Sequence, residues 1–218
     1  MALSLETSAL AGSIGSPLAQ VIPQARSSDR GIAGAHAVPD SALISRIAAG
    51  DRLAMRVLYA RHHVRVYRFV LRTTRDRAMA EDLTSDVFLD VWRQAGRFEG
   101  RSAVTTWLLK IAHYKTLSAL RRRPHEELTD EMAETIVDQA PTPDRTLNDK
   151  DESKALRACL CRLSANHREV IDLVYYHGKS IEEVAAIVGV KETTVRTRMF
   201  HARRQLAAML AGMGVERG

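Results

Sequence analysis

Arg196, Arg198, Arg203 and Arg204, with Thr197, Phe200 and His201 among them, crowd cations and one aromatic ring into a short C-terminal stretch with helical spacing. A guanidinium is a planar fork of donors that fits the O6/N7 edge of guanine or a phosphate, and an apolar side chain can meet a thymine methyl. A helix with this surface, laid in a major groove, reads base edges with some residues and meets phosphates with others. Arg203 and Arg204 are expected at phosphates or in solvent rather than at bases. The other tempting groups are less convergent. Cys159, Cys161 and His167 are ligand types, but two cysteines two apart on a helix point in different directions, and four ligands do not converge. Neither a metal site nor a cofactor is expected, the thiols read as structural, and His62-His63 reads as surface. No paired carboxylates, nucleophile with base, or phosphate loop argues for an enzyme.

The cationic stretch needs an element to hold it. Ser180 to His201 supplies one: Ala185 is small enough for two helices to cross, Gly189 tolerates positive φ in a turn, and Val195 anchors the second helix, with Ile181, Val184, Val188 and Val190 in support. Ser180 with Glu183 is an S-x-x-E capping box. This is a helix-turn-helix pattern, in which Val195, Met199 and Leu206 belong to the core. A helical hairpin with a solvated basic face is the plainer alternative.

Charge along the 218 residues agrees with a nucleic-acid partner. Residues 1–39 are neutral, 40–123 carry +9, 124–152 carry −8 and 153–218 carry +5, so two basic blocks flank an acidic spacer. A membrane-surface protein would show an isolated basic amphipathic helix with exposed apolar residues, and none stands out. No apolar run approaches a membrane span, no signal peptide is evident, and two cysteines make no disulfide framework, which together predict a cytoplasmic protein without membrane insertion.

Periodicity predicts helices throughout and no strands. Asp40 or Ser41 can cap a helix bearing Leu43, Ile44 and Ile47; further helices carry Leu53, Val57 and Leu58, then Val64, Tyr67, Val70 and Leu71, then Leu83, Val87, Phe88, Val91 and Trp92. Gly96 and Gly100 bracket a short connection before a helix with Val104, Trp107, Leu108 and Ile111 on its core side, ending at Arg121-Arg122-Arg123-Pro124. The reading is all-α: a flexible extension over 1–39, a helical domain over 40–123, a flexible acidic linker over 124–152 and a second small helical domain over 153–218.

Three further stretches carry a resemblance. Ala80-Glu-Asp-Leu-Thr-Ser-Asp-Val-Phe-Leu-Asp-Val-Trp, then Arg97-Phe-Glu-Gly-Arg-Ser-Ala-Val-Thr-Thr-Trp-Leu-Leu-Lys-Ile-Ala, then Leu117-Ser-Ala-Leu-Arg-Arg-Arg, resemble region two of extracytoplasmic-function sigma factors of the sigma-70 family. Leu163-Ser-Ala-Asn-His-Arg-Glu-Val-Ile through Arg204 resembles their region four. The resemblance covers about 40–123 and 153–210.

It implies a transcription initiation factor that joins core RNA polymerase and directs it to promoters, in a stress or signal response and held by an anti-sigma factor. By position, Asp82, Leu83, Asp86, Val87 and Phe88 would dock on the clamp coiled coil of the polymerase's largest subunit, and region four on the flap of the second-largest. The melted minus-10 strand would meet Phe98, Arg101, Ser102, Lys110, His113, Tyr114 and Lys115. The minus-35 duplex would meet Thr194, Arg196, Thr197, Arg198, Phe200, His201, Arg203 and Arg204. A basic, glycine-flanked loop with an aromatic ring suits a splayed single strand. Trp107 reads as structural. The family often has Asn at Tyr114, Arg at His201 and Gln at Ser85, so promoter preference at the first two positions is open. The alternatives are a free-standing helix-turn-helix regulator and a protein that occupies polymerase without initiating.

Overall fold

The computed structural model describes residues 38–122 and 147–212, with side chains from 155 onward in the second span. The readings made for residues 1–37 and 123–146 lie outside the described residues. Every element present is helical, as the periodicity predicts. Helices α1 (Asp40–Ala48), α2 (Arg52–Thr74), α3 (Arg77–Gln94) and α4 (Val104–Arg122) form the N-terminal half, with a 3-10 turn at Ala95–Arg97. Helices α5 (Leu147–Arg162), α6 (Ala165–Ile171), α7 (Ile181–Val188) and α8 (Glu192–Gly212) form the C-terminal half, and a π-helical segment, Asp172–Tyr176, extends α6. Helix α5 starts six residues before the region read as the second domain. Among the described residues no helix is long and apolar enough to cross a membrane.

Local chemistry explains the boundaries. Asp51 caps α2 by accepting from the N–H groups of Leu53 at 2.8 Å and Ala54 at 3.1 Å, and Asp76 caps α3 by accepting from Met79 N–H at 3.0 Å. The segments expected as two helices between Leu53 and Leu71 are one, because nothing between them supplies a stop. Neither Asp40 nor Ser41 caps α1: Pro39 occupies the cap position without a side-chain bond. Asp40 instead binds Arg61 Nη1 at 2.8 Å and His62 Nε2 at 2.7 Å. His62, expected at the surface, is therefore buried; it sits four residues from both Leu58 and Val66 on the inward stripe of α2.

The inward stripes meet in one continuous core. Leu43, Ile44 and Ile47 of α1, Leu58, Val66, Phe69 and Val70 of α2, Val87 and Val91 of α3, and Leu108 and Ala112 of α4 are buried together. Each large apolar side chain so buried contributes on the order of 1.5–3 kcal/mol. Ile171, Leu173, Val184, Ile187, Val195, Met199 and Leu206 continue that cluster in the C-terminal half. The two halves are not independent bodies: α4 packs on α7, and α2 on α6.

Candidate polymerase and nucleic-acid interfaces

The helix-turn-helix is built as its residues predict. Ser180 Oγ accepts from Glu183 N–H at 3.1 Å while Glu183 Oε2 accepts from Ser180 N–H at 3.0 Å, the complete capping box. Helix α7 ends at Gly189 with φ of 72°, a left-handed conformation that favours glycine. Ala185 is buried at the helix crossing, and Val195, Met199 and Leu206 turn the inner side of α8 into core.

That registry decides which cations face outward. Arg196, Thr197, Phe200, His201 and Arg204 are exposed, Phe200 at 62%. Arg196 is held one turn back by Glu192 at 3.3 Å, and Thr197 Oγ1 donates to Thr193 O at 3.0 Å. His201 stacks near His167, with ring centroids 6.4 Å apart. Thr194, Arg198 and Arg203 lie partly buried on the flanks, and Arg203 sits 5.7 Å over the Tyr175 ring. The outer strip of α8 is thus basic with one exposed aromatic, the surface a major groove accepts.

On α3 the sequence placed five residues in one docking set, and the fold divides them. Asp82 and Asp86 are exposed one turn apart; Leu83, Val87 and Phe88 are buried, with Phe88 in an edge contact to Tyr59 at 4.8 Å between centroids. Leu89, 45% exposed, joins Asp82, Ser85 and Asp86 on the outward strip and was not picked out from sequence. Its signal was there: an i, i+3, i+4, i+7 row of two acids, a serine and a leucine, out of phase with the core stripe.

The residues read as facing the melted strand are also spread over several surfaces. Phe98 packs on Trp107 at 5.1 Å between centroids and lines a recess of about 310 Å³ with Asp40, Ser41, Gly100, Ser102 and Thr105. Arg101 and Ser102 are exposed, Ser102 among the residues lining the recess and Arg101 paired to Glu99 at 2.5 Å. Lys110 is exposed farther along α4. Lys115 turns the other way, to Asp90 at 2.9 Å and Asp86 at 3.7 Å on α3. Val104 and Leu108 are core, whereas Trp107 and Ile111 are half-buried.

His113 and Tyr114 meet the C-terminal half. His113 Nδ1 lies 2.6 Å from Glu169 Oε1, both side chains buried. Tyr114 keeps 49% exposure, yet its hydroxyl reaches to 2.7 Å of where a Cβ on Gly189 would stand. The Gly189 φ of 72° is what favours glycine there, and any Cβ would also displace the tyrosine hydroxyl. Beside them the Thr106 hydroxyl donates to Glu183 Oε1 at 2.5 Å, and Lys179 Nζ donates to Thr105 at 2.9 Å, to Thr106 at 2.8 Å and to Glu183 at 2.9 Å. Burial raises the Glu183 carboxyl, but the bonds from Thr106 and Lys179 outweigh it and hold the group below its ordinary value.

A second polar row runs along α2. Arg72 Nη1 donates to Asp172 Oδ1 at 2.6 Å and its guanidinium stacks 3.9 Å over Tyr176, while Arg75 donates to the Cys161 carbonyl. Asp172 is buried, which raises its carboxyl, yet His177 and Arg72 beside it leave it below the ordinary value. Cys159 is fully buried and its thiol is pushed up by desolvation; Cys161 is partly exposed. Among the described residues no three His, Cys, Asp or Glu side chains gather as metal ligands.

Comparison with known proteins accounts for both halves. Residues 58–125 match Sigma-70 region 2 and residues 153–206 match Sigma-70 region 4. The chain is 34% identical over 180 residues to the ECF RNA polymerase sigma factor SigM of Mycobacterium tuberculosis, covering 83% of this chain and 89% of that protein. It is 32% identical over 175 residues to the RNA polymerase sigma factor CarQ of Myxococcus xanthus, covering 79% and 98%. Among solved structures it resembles the sigma factor RpoE in complex with the anti-sigma factor NepR from Bartonella quintana, with a TM-score of 0.57, 27% identity and coverage of 72% of this chain and 96% of that one. A helix-turn-helix with a basic outer strip, an acidic strip on α3 and relatives of this identity over most of their length establish that the chain belongs to the extracytoplasmic-function group of sigma-70 family RNA polymerase sigma factors.

Proposed function

We propose that this protein is a promoter-specificity subunit that binds core RNA polymerase, reads the minus-35 duplex through α8 and holds the melted minus-10 strand at the Phe98 recess and α4. The observation that carries the reading is the pairing, on one non-enzymatic chain, of a cationic groove-reading strip with an acidic strip on α3. Asp82, Asp86 and Leu89 form an exposed row of two charges and one apolar side chain. Such a row fits a basic partner helix, for which the clamp coiled coil of the largest polymerase subunit is the proposed counterpart, with the flap of the second-largest subunit meeting the C-terminal half. The recess is lined by Phe98, Gly100 and Ser102, next to the exposed Arg101 in sequence, and a half-buried phenyl ring there suits an unpaired base. An anti-sigma factor is the proposed regulator, as the Bartonella quintana sigma factor is found with one, and the cytoplasm the proposed location.

Transcription with purified core polymerase on a promoter library, with and without the protein, tests this. The expected result is initiation at a small set of promoters only when the protein is present. Equal initiation without it would remove the reading.

A further inference from the structure

His201, exposed on the outward strip of α8, is braced from another helix. Its ring lies 6.4 Å from that of His167 between centroids, with the planes 27° apart, and 5.5 Å from that of Phe200. His167 is half-buried in the first turn of α6, where the Ser164 side chain accepts its backbone N–H. Its Nδ1 lies 3.1 Å from Oε1 of Gln205, one turn beyond His201 on α8. A carbonyl oxygen only accepts, so Nδ1 carries the proton. His167 is thus held twice, in its backbone by the helix cap and in its ring by Gln205, and it stands beside the row that His201 and Gln205 share. We infer that His167, outside the minus-35 set named above, is a specificity-determining positioning residue: it sets where the His201 imidazole stands, and that imidazole donates to N7 of one minus-35 purine. The inference rests on the minus-35 reading of α8 and adds the chemistry read at His201.

The short reach of the side chain makes its placement decisive. A guanidinium on a long stem carries five donors and meets a base edge from several placements, whereas a neutral imidazole has two side-chain torsions and one N–H. A ring left to change rotamer in solvent must be ordered when DNA binds, which costs affinity. Contacts to two other rings do that ordering beforehand, and both centroid distances fall within the roughly 4.5–7 Å over which aromatic rings attract. Because α6 packs along α8, the brace is set by the fold and not by the DNA. In the major groove adenine and guanine both present N7 as an acceptor, and pyrimidines present none there. A single imidazole N–H therefore selects purine over pyrimidine, where an arginine fork on O6 and N7 selects guanine.

The test is transcription by the full-length chain with core polymerase, from a promoter that it uses and from copies with each minus-35 purine replaced in turn by its 7-deaza analogue. The analogue exchanges N7 for C–H and keeps base pairing. Wild type is expected to lose about fivefold at one position, the size of one hydrogen bond, and His201→Ala to be insensitive to the analogue there. His167→Ala is expected to melt near wild type and to cut that sensitivity below about twofold, which removes most of the bond. Added to His201→Ala it is expected to change nothing more, since the two residues act as a unit. Gln205→Ala, at an exposed residue, removes the bond that turns His167 and is expected to lower the sensitivity at the same position; it carries the test if His167→Ala melts early. The inference is overturned if no position depends on both N7 and His201. It is equally overturned if the variant that carries the test keeps the full sensitivity or weakens every template equally, or if the His167 and His201 losses add. A wild-type chain that starts no promoter-dependent transcription fails the sigma-factor reading itself, whereas initiation with any overturning result removes only the brace.

Discussion

The outward faces of α3 and α8 differ from the side of α4 that meets the C-terminal half in what surrounds the side chains proposed to bind a partner. On α8, Arg196, Phe200 and Arg204 stand in solvent, and on α3 so do Asp82 and Asp86. On α4, His113 is buried against Glu169, Thr106 is buried under Lys179 and Glu183, and Tyr114 leans on Gly189. An outer helix has one side to bury, so the residues it can offer a partner are simply those out of phase with the core. A central helix is flanked on several sides. The same residue on it can serve packing, an ionic bridge or DNA depending on which neighbour is present.

The sharpest way to separate the faces is to remove the C-terminal half. Val195 is fully buried beneath α8. Val195→Asp places an unpaired charge there and is expected to cost roughly 3–5 kcal/mol, enough to unfold those helices. Circular dichroism melting checks this. If the N-terminal half loses stability in the same transition, the seam on α4 is energetically continuous with the core; two separate transitions would make it a loose contact.

Next in size is the open acidic strip. Asp82→Arg with Asp86→Arg is expected to reduce association with core polymerase more than about tenfold, because like charges facing a basic partner are repelled, while the melting profile stays near wild type. Co-purification at wild-type level would show that exposure on α3 does not mark the docking face. Asp82 is exposed and Asp86 gives up only its half-exposed 3.7 Å pairing with Lys115, so neither change touches the core as one at Leu83, Val87 or Phe88 would.

Arg196 offers a smaller effect on α8. It is exposed and pairs with Glu192 one turn back on the same helix, so Arg196→Ala is expected to leave the fold intact. If it reads a base, promoter use weakens by about 1–3 kcal/mol with relaxed preference at one minus-35 position. A panel of minus-35 substituted promoters measures it. Uniform wild-type transcription across the panel would make Arg196 a solvated cation.

The smallest expected effect is one of pH on the covered side. Asp172 and Glu183 have carboxyls held below their ordinary values, so each contributes stability that is present above the unfolded value and is lost as pH falls through the folded one. Lowering the pH below about 4 is therefore expected to weaken the seam, and a Glu183→Gln variant to show a flatter acid profile. Urea midpoints measured across that range test it; an unchanged profile would place the stabilising charge elsewhere.

Much of this was legible before any coordinates. The all-helical class followed from 3.6-residue periodicity and the lack of alternation, and the helix-turn-helix from Ala185, Gly189, Val195 and the Ser180–Glu183 box, because these are local rules that a segment obeys by itself. Arg196, Phe200 and Arg204 could be recognised as outward because Val195, Met199 and Leu206 mark the opposite side of the same helix. What the residues did not reveal were pairings between distant segments. Nothing near Asp40 announces His62, nothing near Lys115 announces Asp90, and nothing near His113 announces Glu169. Spacing along one helix fixes which residues share a side, but not which neighbour that side meets. Glu183 shows both halves of the lesson: its bond back to Ser180 is written in four consecutive residues, while its bond to Thr106 exists only because tertiary packing brings α4 to α7, where a desolvated carboxylate must find donors.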